Sequence, residues 1–531
     1  MLNTIKKRLI ASAAFSALIG LVLLWRLMVI NLYRDELSEF DMSAPRKVDI
    51  ISSYGEIYDR DGRQLVNRSE SYIAVINPET ADRDELEKHI TDREKYDNCI
   101  DGTALFLCGV DVPKLECAAV IPVAERYGKD CLCAHIIGYT SGEAGVCGLE
   151  KAYDTLLRNP KSSVTLSYNV DAGGNLLEGD GVNMRWTSSY ETGICTSIDY
   201  AVQRAAEEAM KDVSRGAAVV MDIKTGELCA VVSKPSFDPS APEKSLSSAD
   251  SPFINRAFSA YSVGSVFKLV TAGAALEYGI SEEYPYDCTG SITVRQDEFG
   301  CHRFGGHGQL DMRNAMVESC NPYFISLAAE LPAEFLYNFA YNAGFGQKTV
   351  LADGIESAKG NLPNTGELLV PEERANFSFG QGKLTATPLQ VTMLTAAIAN
   401  SGLCPEPVLI NGVTDKSADR AVSAGVTDYR RLMKKSTADK LKSFMVSTMY
   451  KENSQAIPEF TTGGGKTSTA QTWLFDEKGN EKLNCWFTGF FPADNPEYAV
   501  TVLIEEGISG NVTCGPVFKE IADSVRLGRY E

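Results

Sequence analysis

The chain has 531 residues, 44% of them hydrophobic and 23% charged, with 51 Lys and Arg against 70 Asp and Glu for a formal net charge of −19. That is enough apolar material for more than one packed domain. So acidic a balance excludes a nucleic-acid binder, because no basic block is present to neutralise a phosphate backbone.

At the N-terminus, Lys6-Lys7-Arg8 precede an apolar run from Leu9 to Trp25 that resumes from Leu27 to Ile30 after Arg26. A helix over this stretch is long enough to cross a bilayer, with Arg26 snorkelling towards the far interface. The cationic cluster in front predicts a cytoplasmic N-terminus with the bulk of the chain outside. Leu27 to Tyr33 offers no small residues for a signal peptidase, so the reading is an uncleaved, single-pass anchor.

Polar residues from about Glu36 to Arg46 suit a juxtamembrane linker. Asp61-Gly62 marks a tight turn between two short extended segments. Residues 82–93 are charged at helical spacing and predict a solvated helix. A turn then leads into a short helix around Gly148 to Asp154. No catalytic constellation occurs up to about Thr192, so this part reads as a mixed α/β support domain. The fourteen cysteines show no small-domain disulfide framework. Cys131-x-Cys133 has the wrong gap for a zinc knuckle. For Cys288 and Cys301, a disulfide and free thiols are both open readings, and no metal site is expected.

A second domain opens with Cys195 to Asp199, a strand leading to an N-cap, and a helix from Tyr200 to Met210. Strands follow over 217–223 and 228–233, joined by the turn Lys224-Thr225-Gly226. Three more strands, 467–474, 484–491 and 498–505, lie near the far end of the chain, and an apolar helix spans 388–399. Strands at both ends with helices between them predict one antiparallel sheet whose edge strands come from opposite ends of the sequence.

The chemistry centres on Tyr261 to Val270. The apolar run through Leu276 and the helix-ending Gly279 place Ser265 at or near a helix N-terminus. Lys268, three residues on, shares its face. A desolvated, neutral lysine activates a serine hydroxyl, which is otherwise a poor nucleophile at neutral pH. Two further pieces belong with this pair. Ser319-Cys320-Asn321 offers a hydroxyl and an amide two residues apart. Gly464-Gly465-Lys466-Thr467-Ser468-Thr469 offers a cation and hydroxyls on a strand whose glycines let a substrate backbone approach. The Lys-Thr-Gly at 224–226 precedes Ser265 and sits in a hairpin turn, so its role is structural.

In this order the three pieces resemble the active-site triplet of penicillin-binding proteins and serine β-lactamases, Ser-x-x-Lys, Ser-x-Asn and Lys-Thr-Gly, with Ser468 where glycine is usual. Asn255-Arg256-Ala257, His307-Gly308, Gly380-Gln381-Gly382, Thr387 to Gln390, Thr469-Ala470-Gln471 and Trp486-Phe487 extend the likeness to class B penicillin-binding proteins of the short Gram-positive type. Gly55 to Leu65 and Gly148 to Asp154 are similar to that class's membrane-proximal domain. The resemblance therefore implies an α+β architecture in three parts. Residues 1–33 are a cytoplasmic tip and transmembrane helix, and 34–194 a membrane-proximal dimerisation or pedestal domain. Residues 195–531 are a transpeptidase domain with a central antiparallel sheet flanked by helices.

The implied activity is peptidoglycan D,D-transpeptidation of stem peptides ending in D-Ala-D-Ala, with β-lactams as covalent inhibitors. In that scheme Ser265 attacks the penultimate carbonyl, Lys268 takes its proton, and Lys466 attracts the terminal carboxylate. Ser319 relays a proton to the leaving D-Ala, and Asn321 holds the peptide amide. Thr467, Ser468 and Thr469 line the substrate, and the backbone N–H groups of Ser265 and Thr469 make an oxyanion hole. No cofactor is called for. A membrane-embedded glycan polymerase is the implied partner. The rival readings are a D,D-carboxypeptidase or β-lactamase, in which water resolves the acyl-enzyme, and a non-catalytic β-lactam sensor or scaffold.

Overall fold

The computed structural model describes residues 2–32, 45–128, 130–142, 144–170, 176–177, 182–188, 193–414 and 428–530. Helix α1 is Leu2–Leu32. Within it, Ile10–Val29 has a mean hydropathy of 1.9 and no burial inside the protein, and among the described residues it is the one helix long and apolar enough to cross a membrane.

The chain forms two compact units. The first comprises residues 1–52, 71–123 and 163–187. Its strands enter two three-stranded sheets, one of Phe106–Val110, Ser69–Ile76 and Ala119–Glu125, the other of Pro45–Ser53, Ser162–Asn169 and Asn183–Ser188. The charged stretch expected as one helix is two, Arg83–His89 and Arg93–Cys99. The break has a local cause. Asp82 and Asp92 each turn a carboxylate onto the free N–H groups of the helix that follows, so Asp92 starts a new helix instead of extending the old one.

The second unit, residues 53–70, 124–162 and 188–531, carries the sheet that positions the site. Its strands are β1 (Gly216–Asp222), β2 (Leu228–Lys234), β3 (Gly464–Phe475), β4 (Glu481–Phe491) and β5 (Tyr498–Glu505). They pair antiparallel in the order β2-β1-β5-β4-β3. Both edges thus come from distant parts of the sequence, as the strand pattern predicts. Along β1 the alternation of the strand divides the residues between two cores. Ala217, Val219 and Met221 join one, while Ala218 and Val220 join another with Val202, Ala206, Phe518 and Ile521. Both faces are covered, which is why β1 and β2 read as continuous apolar runs.

Helix α2 (Tyr200–Ala209), capped by the Asp199 side chain, and helix α8 (Gly515–Arg526) lie over the second core. The first core contains α3 (Lys268–Tyr278) and α6 (Pro388–Ala399), every residue of α6 being buried. Thr387 and Gln390 close a capping box at the start of α6. Helices α4 (Met312–Glu318), α5 (Asn321–Ala329) and α7 (Lys435–Met449) complete this side. Lys224 to Gly226 form the turn between β1 and β2, with Gly226 at φ +76°.

Candidate active site

Ser265 lies in a 3₁₀ turn, Gly264–Phe267, that runs directly into α3, and Gly279 ends that helix at φ +107°. The turn is held on several sides. Gly264 N–H donates to Gly380 O at 2.8 Å. A side chain at Gly380 would collide with Gly264 O at 2.1 Å, which accounts for one glycine of Gly380-Gln381-Gly382. The strand pair Tyr261–Ser262 with Thr385–Ala386 brings that segment alongside. Trp486 Nε1 donates to Ser262 O at 2.9 Å, and Tyr261 Oη donates to Glu505 Oε1 at 2.9 Å. Arg256 Nε reaches the same carboxylate oxygen at 2.8 Å. Glu505, at the end of β5, is a support that the sequence reading did not single out.

Lys268 is fully buried, yet its amine has four oxygen neighbours. Nζ lies 3.0 Å from Ser265 Oγ, 2.6 Å from Ser319 O, 3.1 Å from Ser319 Oγ and 2.7 Å from Asn321 Oδ1. A neutral amine has two N–H groups and one lone pair. The two carbonyl oxygens, Ser319 O and Asn321 Oδ1, are acceptors only, so they take the N–H groups. The lone pair is then left for a hydroxyl proton. Burial and the nearby Lys466 cation together hold the Lys268 pKa well below the ordinary lysine range.

Ser319 ends α4 in a left-handed conformation, φ +53°, and Asn321 is the first residue of α5. That turn aims both the carbonyl and the hydroxyl of Ser319 at Lys268. Ser319 Oγ also lies 3.0 Å from Lys466 Nζ, so one hydroxyl bridges the two amines. Lys466 sits on β3 in register with Thr488 and donates to Thr467 O at 3.1 Å. Burial, and secondarily Lys451, push its pKa down to about 7. Beside it a cavity of about 250 Å³ is lined by His302, Ser319, Lys451, Gly465, Thr467 and Asn511, among others.

Of the strand residues expected to line substrate, Thr467 is half-buried against this cavity, and Thr469 is exposed with Oγ1 accepting from Gly510 N–H at 3.2 Å. Ser468 faces the other way from these two. It is buried and donates to Val263 O at 2.8 Å, bracing β3 against the nucleophile turn. Gly264 makes room for it, since a Cβ there would come within 2.4 Å of Ser468 Oγ.

All five residues expected to act chemically, Ser265, Lys268, Ser319, Asn321 and Lys466, are therefore joined in one hydrogen-bonded group drawn from the 3₁₀ turn, α3, the α4–α5 turn and β3. A model of the penicillin-binding protein transpeptidase domain matches residues 216–523. The chain belongs to this family. Among its curated relatives is the Bacillus subtilis stage V sporulation protein D, 28% identical over 550 positions covering 94% of this chain and 82% of the relative. Another is the Acinetobacter baumannii peptidoglycan D,D-transpeptidase MrdA, 29% identical over 455 positions, covering 73% of this chain and 64% of that protein. Among solved structures, one described as structural coordination of polymerization and crosslinking by a peptidoglycan synthase complex matches with a TM-score of 0.71 at 23% identity, covering 97% of this chain and 98% of that one.

None of the cysteines among the described residues is in a disulfide. Cys288 and Cys301, for which the sequence leaves a disulfide and free thiols open, converge with two further donors next to this penicillin-binding protein's site: the thiols of Cys288, Cys301 and Cys320 and the His307 ring have ligand atoms that all lie within 4.8 Å of one another. Their spacing matches no short motif because they come from a strand end, a hairpin exit, a loop and a helix start. Cys320 is the middle residue of Ser319-Cys320-Asn321.

Proposed function

We propose that this penicillin-binding protein is a peptidoglycan D,D-transpeptidase that crosslinks stem peptides through an acyl-enzyme on Ser265. The observation that carries the reading is the approach of Ser265 Oγ to a buried Lys268 amine whose N–H groups are already engaged. Lys268 accepts the Ser265 proton as Oγ attacks the penultimate carbonyl. Lys466 draws in the terminal carboxylate, and the arriving negative charge favours its protonated form. Ser319, within reach of both amines, passes the proton on to the departing D-Ala nitrogen. Asn321 engages Lys268 through Oδ1, so its NH₂ group is directed to a substrate carbonyl. The N–H groups of Ser265 and Thr469 receive the oxyanion, and an amine from a second strand resolves the ester into a crosslink. β-Lactams enter the same path and stop at the acyl-enzyme.

Helix α1 anchors the chain with its N-terminus in the cytoplasm, on the strength of Lys6-Lys7-Arg8, and residues 34–194 serve as the membrane-proximal support for a transpeptidase domain at 195–531. Similarity across nearly the whole chain to a component of a peptidoglycan synthase complex supports pairing with a membrane-embedded glycan polymerase. The test is reconstitution of the full chain with nascent glycan strands. The expected product is crosslinked muropeptide that penicillin suppresses and Ser265→Ala abolishes. Trimmed, uncrosslinked stems would mark a carboxypeptidase, and crosslinking undiminished in Ser265→Ala would mark a scaffold.

A further inference from the structure

We propose that Cys288, Cys301, His307 and Cys320 hold one zinc ion, and that this ion fixes the turn presenting Ser319 and Asn321 to Lys268. Three soft thiolates and one imidazole are a donor set for tetrahedral zinc, and with all four positions filled by protein the site is a closed, structural one. Bonds of about 2.3 Å to sulfur and 2.0 Å to nitrogen put tetrahedral ligands roughly 3.5–3.8 Å apart. His307 Nδ1 is 3.4 Å from Cys301 Sγ, and no pair among the four exceeds 4.8 Å. Side-chain movements well within rotamer wells close that gap.

The far side of the histidine supplies a second, independent indication. Its Nε2 is buried and has no hydrogen-bond partner among the described residues. The nearest carboxylate, Glu318 Oε2, stands 3.7 Å away and is itself held by Lys451 at 2.6 Å. A histidine bound to metal through Nδ1 carries its proton on Nε2 and gives it to such a carboxylate, which fixes both tautomer and ring orientation. A disulfide between any two of the thiols would leave the third thiol and this histidine without a use.

Between the buried Cys288 and Cys320 the backbone runs through short elements. Strand Tyr286–Cys288 pairs with Gly308–Leu310 over three residues, and the hairpin Ser291–Val294 with Asp297–Gly300 has no buried residue. The chain passes so closely that a Cβ at Gly306 would meet Cys288 O at 1.9 Å. Cys288 and Cys320 are seated in the main core, and a metal crosslink would tie the open hairpin between Cys288 and Cys301 to it. Cys320 transmits the constraint: its neighbours Ser319 and Asn321 supply three of the four oxygens around Lys268 Nζ. Cys320 and the other donors thus act through Ser319 and Asn321, as positioning residues.

The experiment uses the full-length chain purified in detergent with reductant and without chelator. Elemental mass spectrometry is expected to find about one zinc per chain, as a single closed site requires. Cys301→Ser and His307→Ala are expected to lose it, and Cys404→Ser, a buried thiol outside the group, to keep it. Glu318→Gln is expected to weaken zinc by about 10- to 100-fold in competition with a chelating dye. Stripping zinc from the wild-type chain should slow acylation by a fluorescent penicillin, and adding zinc back should restore it, a reversal that irreversible unfolding would not give. A wild-type chain without zinc, a mapped disulfide among the three cysteines, or full zinc in Cys301→Ser overturns the proposal. The acylation arm rests on the roles given above to Ser265 and Ser319. A chain that binds zinc through these donors but takes no penicillin would fault those roles and leave the metal site standing.

Discussion

Replacing Lys268 by methionine removes the amine while keeping its length and most of its volume. Two opposing effects follow. The buried amine no longer has to be desolvated, which favours the variant. Against that, Ser319 O and Asn321 Oδ1 lose their donor, and each buried acceptor left unmet costs about 1–3 kcal/mol. The net loss in stability is expected to be a few kcal/mol at most, small enough for the variant to fold. The chemical effect is larger. Without the amine 3.0 Å from Ser265 Oγ, the hydroxyl has no base, and general-base assistance of this kind contributes about 10²- to 10⁴-fold. That range is about 2.7–5.4 kcal/mol in the acylation barrier. Stopped-flow acylation by a fluorescent penicillin, with circular dichroism to verify the fold, measures it. A folded Lys268→Met chain acylated within about tenfold of wild type would refute the assignment of the base.

The pH dependence of acylation should be bell-shaped. Lys268 must be neutral to accept a proton, so the rate rises with pH through its lowered pKa, whereas Lys466 must be charged to hold a carboxylate, so the second-order rate constant falls as pH passes its value of about 7. Lys451→Met removes a neighbouring cation, raises the Lys466 pKa and should move the falling limb to higher pH. A falling limb that stays in place would separate it from Lys466. Gly264→Ala should destabilise by about 1–2 kcal/mol from its left-handed φ of +62°, plus the overlap with Ser468 Oγ. Ser468→Gly relieves the overlap alone, so a double-mutant cycle should give a favourable coupling of about 0.5–3 kcal/mol, and strict additivity would show that the two do not meet. Glu505→Gln keeps an oxygen for Arg256 and Tyr261 but removes the charge, and should cost about 1–2 kcal/mol in denaturant unfolding together with slower acylation.

The sequence made the site legible because its chemistry rests on short spacings. Ser265 and Lys268 are one helical turn apart, and any helix there puts them together. The central sheet was legible for a similar reason, since runs such as Ala217 to Met221 have no other way to bury both faces. What spacing leaves invisible is the side-chain direction on a strand edge whose partner is another motif. Ser468 stands in a substrate-lining triplet, yet it turns inward to Val263 because Gly264 leaves space for it. The helical spacing of charges over 82–93 does not reveal that Asp92 acts as a cap. Glu505 and the group around Cys320 depend on contacts across long stretches of chain. Glu505 meets Arg256 and Tyr261 only once β5 lies in the sheet. Cys288, Cys301, His307 and Cys320 meet only once a hairpin folds back over the start of α5.

The central claim is that Ser265 Oγ is the atom to which substrate is joined, and one measurement addresses it without intermediaries. The full-length chain is exposed to a penicillin, digested, and the adduct located by tandem mass spectrometry. The expected result is a single penicilloyl ester on the peptide containing Tyr261 to Lys268, at Ser265, absent in Ser265→Ala. An adduct on Ser319 or on any other residue, or none on a folded chain, would contradict it.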